Sequence, residues 1–458
     1  MTEAITNKIK TIFSGKRILI LGFGKEGQST YKFLRGFFPE TELLIADRNP
    51  DSFGHLSDKK IITFSGEDYL QAVTQADLIM KSPGISFKEV QIPDNVILSS
   101  QTDLFINLFK NQIVGVTGTK GKSTVVSLIK HILSAFYTEV KLVGNIGVPA
   151  LDIIDAITPE MKIIYELSSH QLEFSNFSPH ISVLLNLYEE HLDHYRSYED
   201  YRRAKWQIAL HQKVDDLLIL NCDDPTINSD IRGFELNSKQ ITISSEGNIK
   251  ADFYFDGNEI YHGKTGIGFD TKKFKLPGKH NVYNLMVALA AANLLGIEVQ
   301  EALSKAEGFK GLPHRLEFLR NFHGVDFIND SIATIPQATI NAIKSVDNLQ
   351  TLILGGFDRG ISYDLLVDFL FAYKPLNIIL LGEVGVRLKK ALEGRNYTGN
   401  LFLNTCFDEA VEQSFAQTTS GNACLLSPAA ASYDKFKNFE ERGNRFRQLV
   451  NGLKKSFA

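Results

Sequence analysis

IVGVTGTKGKST, residues 113–124, decides how this 458-residue chain is read. Apolar Ile113, Val114 and Val116 predict the end of a buried strand, and residues 117–121 a Gly/Thr-rich turn. Lys122, Ser123 and Thr124 then open a helix whose Val125, Ile129, Ile132 and Leu133 recur at helical spacing. A strand, a glycine loop and a helix N-terminus make a phosphate cradle. Free N–H groups and the helix dipole face the anion, and a lysine adds a point charge. Strict P-loop spacing places glycine at 116, where this chain has valine, so the loop is a variant. Its candidate phosphate-binding residues are Gly118, Thr119, Lys120, Gly121, Lys122, Ser123 and Thr124. The alternative is an ordinary Gly-rich strand–helix turn.

Outward from this loop, strand-like runs alternate with helical patterns to both ends: residues 17–21, 43–46, 163–167, 181–187, 217–221, 351–354, 377–381 and 423–426. Many are continuously apolar, as strands covered on both faces are. The pattern predicts α/β architecture with mostly parallel sheets. The length predicts two to four domains. Boundaries fall near 110–112 and 308–313, giving domains of 1–110, 111–311 and 312–458. Residues 230–275 are polar, Gly-rich and short-stranded, and read as an antiparallel insert in the middle domain.

Hydrophobic content of 43% and charged content of 22% are those of an ordinary globular enzyme. A net charge of −4 without a basic stripe argues against nucleic-acid binding. Cys222, Cys406 and Cys424 are scattered, give no disulfide or zinc pattern, and suit a reducing compartment. No apolar run approaches a membrane span, and the N-terminus lacks an apolar core long enough for a signal peptide. A cytoplasmic protein with no membrane span is expected.

A second glycine motif, ILILGFGKEG, occupies residues 18–27. Gly22, Gly24 and Gly27 make G-x-G-x-x-G between a strand and a helix, and Asp47 ends a second strand where a dinucleotide fold places its ribose-binding acid. Alone, this would suggest an NAD-dependent dehydrogenase, but a nucleotide-sugar diphosphate fits equally well, and so does a turn with no ligand. Ser82-Pro83-Gly84 is a second turn that could approach the same ligand. Glu166 closes the strand in YELSSHQLE, where a carboxylate beside a phosphate loop suits Mg²⁺; Ser123 is the other expected ligand. EEHLDH, residues 189–194, concentrates acids and imidazoles at the same sheet edge. Lys205 follows on a helix in YRRAKWQI, where a lysine is ordinarily solvated.

Together these residues resemble the Mur ligase family over nearly the whole chain. TGTKGKST is similar to its ATP loop. GNIG (144–147) and ELSSHQLE resemble its central motifs, and EHLDHY with RRAK its metal and lysine motifs. GKHNVYN, LPHRLE, NDSIAT and GGFDRG resemble its nucleotide and third-domain motifs. SPAAASYDKFKNFEERG, residues 427–443, most resembles the D-glutamate-adding members. The resemblance implies a Rossmann-like N-terminal domain, a central P-loop ATPase domain and a Rossmann-like C-terminal domain. It implies ATP, UDP-N-acetylmuramoyl-L-alanine and glutamate as small-molecule substrates, with Mg²⁺; two ions are expected because the ATP tail and an acyl phosphate are both anionic, and a monomer is expected.

By the same resemblance, Gly24, Asp47, Ser82 and Asn145 face the UDP substrate. Asn281, Asn284, Arg315 and Asp330 hold the nucleotide, and Thr334, Ser432 and Phe439 the amino acid, for which Arg359 is expected, on its charge and fork geometry, to be the anchor. Ser123, Glu166, His191 and Lys205 serve the metal, with Lys205 carried as a carbamate, and Lys122, Glu166, His191 and Lys205 form the catalytic set. Two departures stand out: Ile332 replaces the lysine of NDSKAT, and Arg359 replaces the lysine of the GG-x-D-K-G type motif. Three rivals remain open. A dehydrogenase would bind NADH. A related ligase would take another acceptor, such as L-glutamate. A nucleotide sensor would lack Glu166 and His191, and both are present.

Overall fold

The computed structural model describes residues 2–54, 56–88, 90–191, 194–270, 273–274, 276 and 278–453. They form three α/β sheets. The first runs, edge to edge, Ile61–Ser65, Leu43–Asp47, Ile18–Leu21, Leu78–Lys81 and Ile97–Ser99, all parallel. Strand order reverses between Ile18–Leu21 and Leu78–Lys81. Doubly wound sheets bind their ligands at the carboxyl ends of such a pair. The turn after Ile18–Leu21 leads into helix Lys25–Phe37. A Cβ on Gly27 would sit 2.0 Å from the Gly22 carbonyl oxygen, so helix and turn meet this closely only with glycine there.

The second sheet has nine strands: Thr265–Gly266, Ile260–His262, Phe253–Phe255, Lys239–Ser244, Leu217–Asn221, Ile181–Leu184, Ile113–Thr117, Lys162–Glu166 and Val140–Gly144. The insert expected over 230–275 is largely a continuation of this sheet. Lys239–Ser244 pairs parallel with Leu217–Asn221, and Phe253–Phe255 pairs parallel with it in turn; only the last two ladders are antiparallel. Towards the edge the strands shorten and lose cover on one face. Their composition therefore turns polar while the parallel pairing persists.

Helices Lys122–Leu133 and Lys279–Leu294 cover one face of this sheet, packing Val125, Ile129, Met286 and Leu289 onto Val116 and Val183. The other face shares a core with the first sheet, where Ile18, Ile20 and Phe105 join Ile163, Tyr165 and Trp206. That common core makes Met1–Phe309 one compact unit.

Lys310–Ala458 is the second unit. Its sheet runs Glu317–Phe322, Val325–Asn329, Ala423–Leu426, Leu349–Gly355, Asn377–Leu381 and Asn400–Asn404. The first pair is an antiparallel hairpin and the remainder are parallel. Among the described residues, no helix is long and apolar enough to cross a membrane.

Candidate active site

The phosphate-loop strand Ile113–Thr117 lies between Lys162–Glu166 and Ile181–Leu184, so three strand ends open at one place. Gly118 has φ +155°, and a Cβ there would lie 2.7 Å from Leu185 Cβ; the loop passes too close to the neighbouring strand for any side chain. Gly121, left-handed at φ +87°, caps helix Lys122–Leu133. The Lys122 ammonium curls over the loop and donates to the carbonyls of Gly118 (2.8 Å) and Thr119 (3.0 Å). The Thr119 hydroxyl accepts the Tyr188 N–H (2.9 Å) and lies 2.8 Å from the Tyr201 hydroxyl. The Lys120 backbone is held both ways by the Asn186 amide, and its ammonium pairs with Glu190. Ser123 is buried and Thr124 half-buried on the first helical turn. Asn284 donates to Asn281 (3.1 Å), and its Oδ1 lies 3.1 Å from where a Gly121 Cβ would stand. The loop and helix Lys279–Leu294 therefore meet.

Lys205 is 2% exposed, not solvated as a helical lysine ordinarily is. Its amine donates to the Gly118 carbonyl at 2.8 Å and lies 5.0 Å from the Tyr201 ring. Burial, with the nearby Lys122 charge, holds its pKa well below the ordinary lysine value. Glu166 is fully buried at its strand end. Its Oε1 accepts the Asn145 side-chain amide at 2.8 Å, while Oε2 is buried with no hydrogen-bond partner. A buried carboxylate oxygen without a donor is costly unless a cation meets it.

His191 has φ +60° and is exposed, with Nε2 3.8 Å from Glu190 Oε2. Leu192 and Asp193 of the EEHLDH segment lie outside the described residues. The His191 ring is 4.9 Å from that of His170, which is 4.2 Å from that of His194. Burial, then the His194 and His191 charges, push His170 down to about 4. His194 and Lys81 both face Glu173. Burial opposes ionisation of Glu173, but the His194 hydrogen bond and the Lys81 charge outweigh it and hold its pKa below the usual range.

At the first sheet's switch point, Asp47 accepts the N–H of Phe23 (2.6 Å) and of Asn49 (2.9 Å), and the Ser82 hydroxyl donates to the Gly22 carbonyl (2.7 Å). Both side chains brace the glycine turn. Gly24, exposed, caps the following helix.

In the second unit, Asp330 is buried and accepts the Ser427 hydroxyl (2.8 Å) and the Leu316 N–H (3.1 Å). Burial raises its pKa to about 7. Arg315 beside it is exposed. The Arg359 guanidinium donates to the Thr334 carbonyl at 2.8 Å. Ser432 is buried and Phe439 half-buried, and the Phe439 carbonyl accepts the Ser331 hydroxyl at 2.9 Å.

Sequence reasoning placed His194 in the acid- and imidazole-rich segment 189–194 without a role, and missed Lys81, Glu173, His170 and Arg442. The buried Arg442 guanidinium donates to Ser331 and to the carbonyls of Ala430 and Ala431, tying together the segments that carry Thr334 and Ser432. Its position in FEERG was the one signal available.

Residues 116–292 match the Mur ligase middle domain. A UDP-N-acetylmuramoylalanine–D-glutamate ligase of Clostridioides difficile is 34% identical, covering 96% of this chain and 99% of that one. A protein of the same name from Citrifermentans bemidjiense is 34% identical, covering 97% and 99%. Among solved structures, the MurF ligase from Thermotoga maritima in complex with ADP matches with a TM-score of 0.56 at 15% identity, covering 99% of this chain and 100% of that one. The UDP-N-acetylmuramate–alanine ligase of the same organism matches with a TM-score of 0.56 at 18% identity, covering 96% and 100%. These two likenesses are of fold. The sequence likeness, about a third identity over nearly the full length, is one of family, and the chain belongs to the Mur ligase family.

Proposed function

We propose that the protein is an ATP-dependent ligase that joins D-glutamate to UDP-N-acetylmuramoyl-L-alanine through an acyl phosphate. The observation that carries the reading is the meeting of two lysines on one phosphate-loop carbonyl: Lys122 and the buried Lys205 both donate to Gly118, beside the strand that ends in Glu166. The alanyl carboxylate attacks the γ-phosphorus of ATP, its P–O bond forms and ADP leaves. The glutamate amine then attacks the acyl carbon, loses a proton, and phosphate departs. The protein's work is positioning and charge neutralisation. Lys122 swings from its own loop carbonyls to the transferred phosphoryl oxygens. Asn281, Asn284, Arg315 and Asp330 are the protein's nucleotide-binding residues.

Mg²⁺, in two ions, would neutralise the polyphosphate and the acyl phosphate. The unpartnered Glu166 Oε2 fits such a cation. Among the described residues, no three His, Cys, Asp or Glu side chains converge as a metal site. Ser123, His191, a modified Lys205 and phosphate oxygens must therefore complete the set with Glu166. Carbamylation joins the neutral Lys205 amine to carbon dioxide with loss of one proton, and burial supplies the neutral amine.

The UDP substrate lies along Gly24, Asp47, Ser82 and Asn145. Glutamate lies along Thr334, Ser432 and Phe439, with Arg359 as its charged anchor. The domains are 1–110, 111–311 and 312–458 of a cytoplasmic monomer. Phosphate release from ATP with UDP-N-acetylmuramoyl-L-alanine, tested separately with D-glutamate, L-glutamate and other amino acids, checks the reading. Release with D-glutamate is expected. Release with L-glutamate alone would favour the related-acceptor ligase, and calorimetric binding of NADH without the UDP substrate would overturn both.

A further inference from the structure

Strand Leu78–Lys81 ends in a lysine that is 5% exposed. Its ammonium lies 3.4 Å from Glu173 Oε2 and sits over the rings of Phe174 and Phe87. The same carboxylate oxygen lies 3.0 Å from His194 Nε2. From His194 the ring contacts continue through His170 to His191. Two residues before Glu173, Gln171 is fully engaged. Its Oε1 accepts the Ser168 N–H (2.9 Å), and its Nε2 donates to Glu26 Oε1 (2.7 Å). Glu26 stands in the first turn of the glycine-motif helix, and Lys81 immediately precedes Ser82, whose hydroxyl holds the Gly22 carbonyl.

The segment 168–174 starts two residues after Glu166. It is thus gripped twice from the ligand end of the first sheet, by Glu26 and by Lys81. Stability alone is a weak reason for the second grip, because a buried ion pair can often be replaced by apolar groups at no loss. What the pair fixes is direction. It sets one distance between the glycine turn and the imidazoles beside the phosphate loop.

Resting on the ligase reading above, we propose that Lys81 and Glu173 are positioning residues: the ion pair of the buried Lys81 with the half-buried Glu173, extended through His194 and His170, holds His191 in register with the Gly22–Gly27 turn. Side chains that orient a working group in this way commonly carry 10–100-fold effects when removed.

The test compares Lys81→Met, Glu173→Gln and the double variant. Each single change leaves one charge of the pair without the other and can impair folding; the double change removes both charges, so it is the decisive protein. A folded double variant should show kcat lowered about 10–100-fold, with the KM for ATP within about twofold of the parent. Its rate should be no lower than that of the worse single variant, because both changes break one link. A second readout needs no turnover. In protein labelled with ¹³C-histidine, the His170 and His191 ring signals should shift in the double variant while thermal stability is kept. Parental kcat, unmoved histidine signals, a KM for ATP that rises in step with the lost rate, or losses that multiply in the double variant would each overturn the positioning role. If the parent fails to use D-glutamate, the ligase reading falls, and the histidine signals still decide whether the link exists.

Discussion

Replacing Lys205 by methionine separates what its burial does to the fold from what it does for the reaction. In the folded protein the amine has one backbone hydrogen bond, to Gly118 O, and a ring contact with Tyr201. The hydrogen bond is worth about 1 kcal/mol, and a neutral amine gains no cation–π attraction from the ring. Against it stands the free energy of holding an amine neutral that is charged in the unfolded chain, 1.36 kcal/mol for each unit of pKa depression. Methionine has a similar volume, and the Gly118 carbonyl keeps its bond from Lys122, so no acceptor is orphaned. Lys205→Met should therefore be neutral or more stable by about 1–3 kcal/mol, a rise of a few degrees at most.

The sign with pH is fixed too. Between the depressed folded pKa and 10.5 the unfolded chain binds a proton that the folded chain does not, so parental stability rises with pH across that window, and the methionine variant should lack this rise. Turnover should fall by on the order of a thousandfold, about 4 kcal/mol of barrier. In Lys205→Ala, which leaves space, short-chain carboxylic acids should restore part of the rate. Thermal unfolding in bicarbonate-free buffer and phosphate release measure the two halves. Parental turnover by Lys205→Met would refute the carbamate argument. A destabilised variant would refute the energetic one.

Three further outcomes are expected. Lys122→Ala should keep its fold and lose nearly all turnover, several kcal/mol of transition-state stabilisation, and a steady-state rate within tenfold of the parent would sink the ATP-loop assignment. Arg359→Ala should raise the KM for glutamate far more than that for ATP, and Arg359→Lys should recover part of the loss, since a point charge lacks the planar fork; equal effects on both substrates would remove Arg359 from the site. Asp330, raised to about 7 by burial, holds a proton between about pH 4 and 7 that the unfolded chain has lost, so stability falls as pH rises through that window. Asp330→Asn should flatten this fall in pH-dependent unfolding, and an unchanged slope would show that another group titrates.

The parts of this site legible in the sequence are those made by neighbours along the chain. The phosphate loop, the glycine turn and the apolar strands depend on residues a few positions apart, and periodicity and glycine spacing report them. Residues 230–275 show the limit. Polarity registers that a strand is half wet, but the direction of its partner is decided by a ladder to a strand elsewhere, so Lys239–Ser244 reads as part of an insert and pairs as a continuation of the sheet. The departure at Ile332 has no side-chain consequence that the second unit displays; its N–H donates to the His314 carbonyl, as any residue could.

Lys205 and Lys81 mark the same limit for chemistry. Each is a lysine in an unremarkable local pattern, one in a helix of charged residues and one at a strand end. Both are buried by elements 87 and 92 residues away, the Gly118 loop and Glu173. A lysine is driven neutral or paired only when such distant groups exclude water from it. The pattern around it cannot carry that information. The two also differ in a way that assigns their roles. Lys81 meets a carboxylate and stays paired, so it can hold a distance. Lys205 is buried beside another lysine's charge, so protonation is opposed by desolvation and by repulsion. Burial lowers the pKa of both amines, but Lys205 is held well below the ordinary value, and of the two it is Lys205 that donates to the phosphate loop.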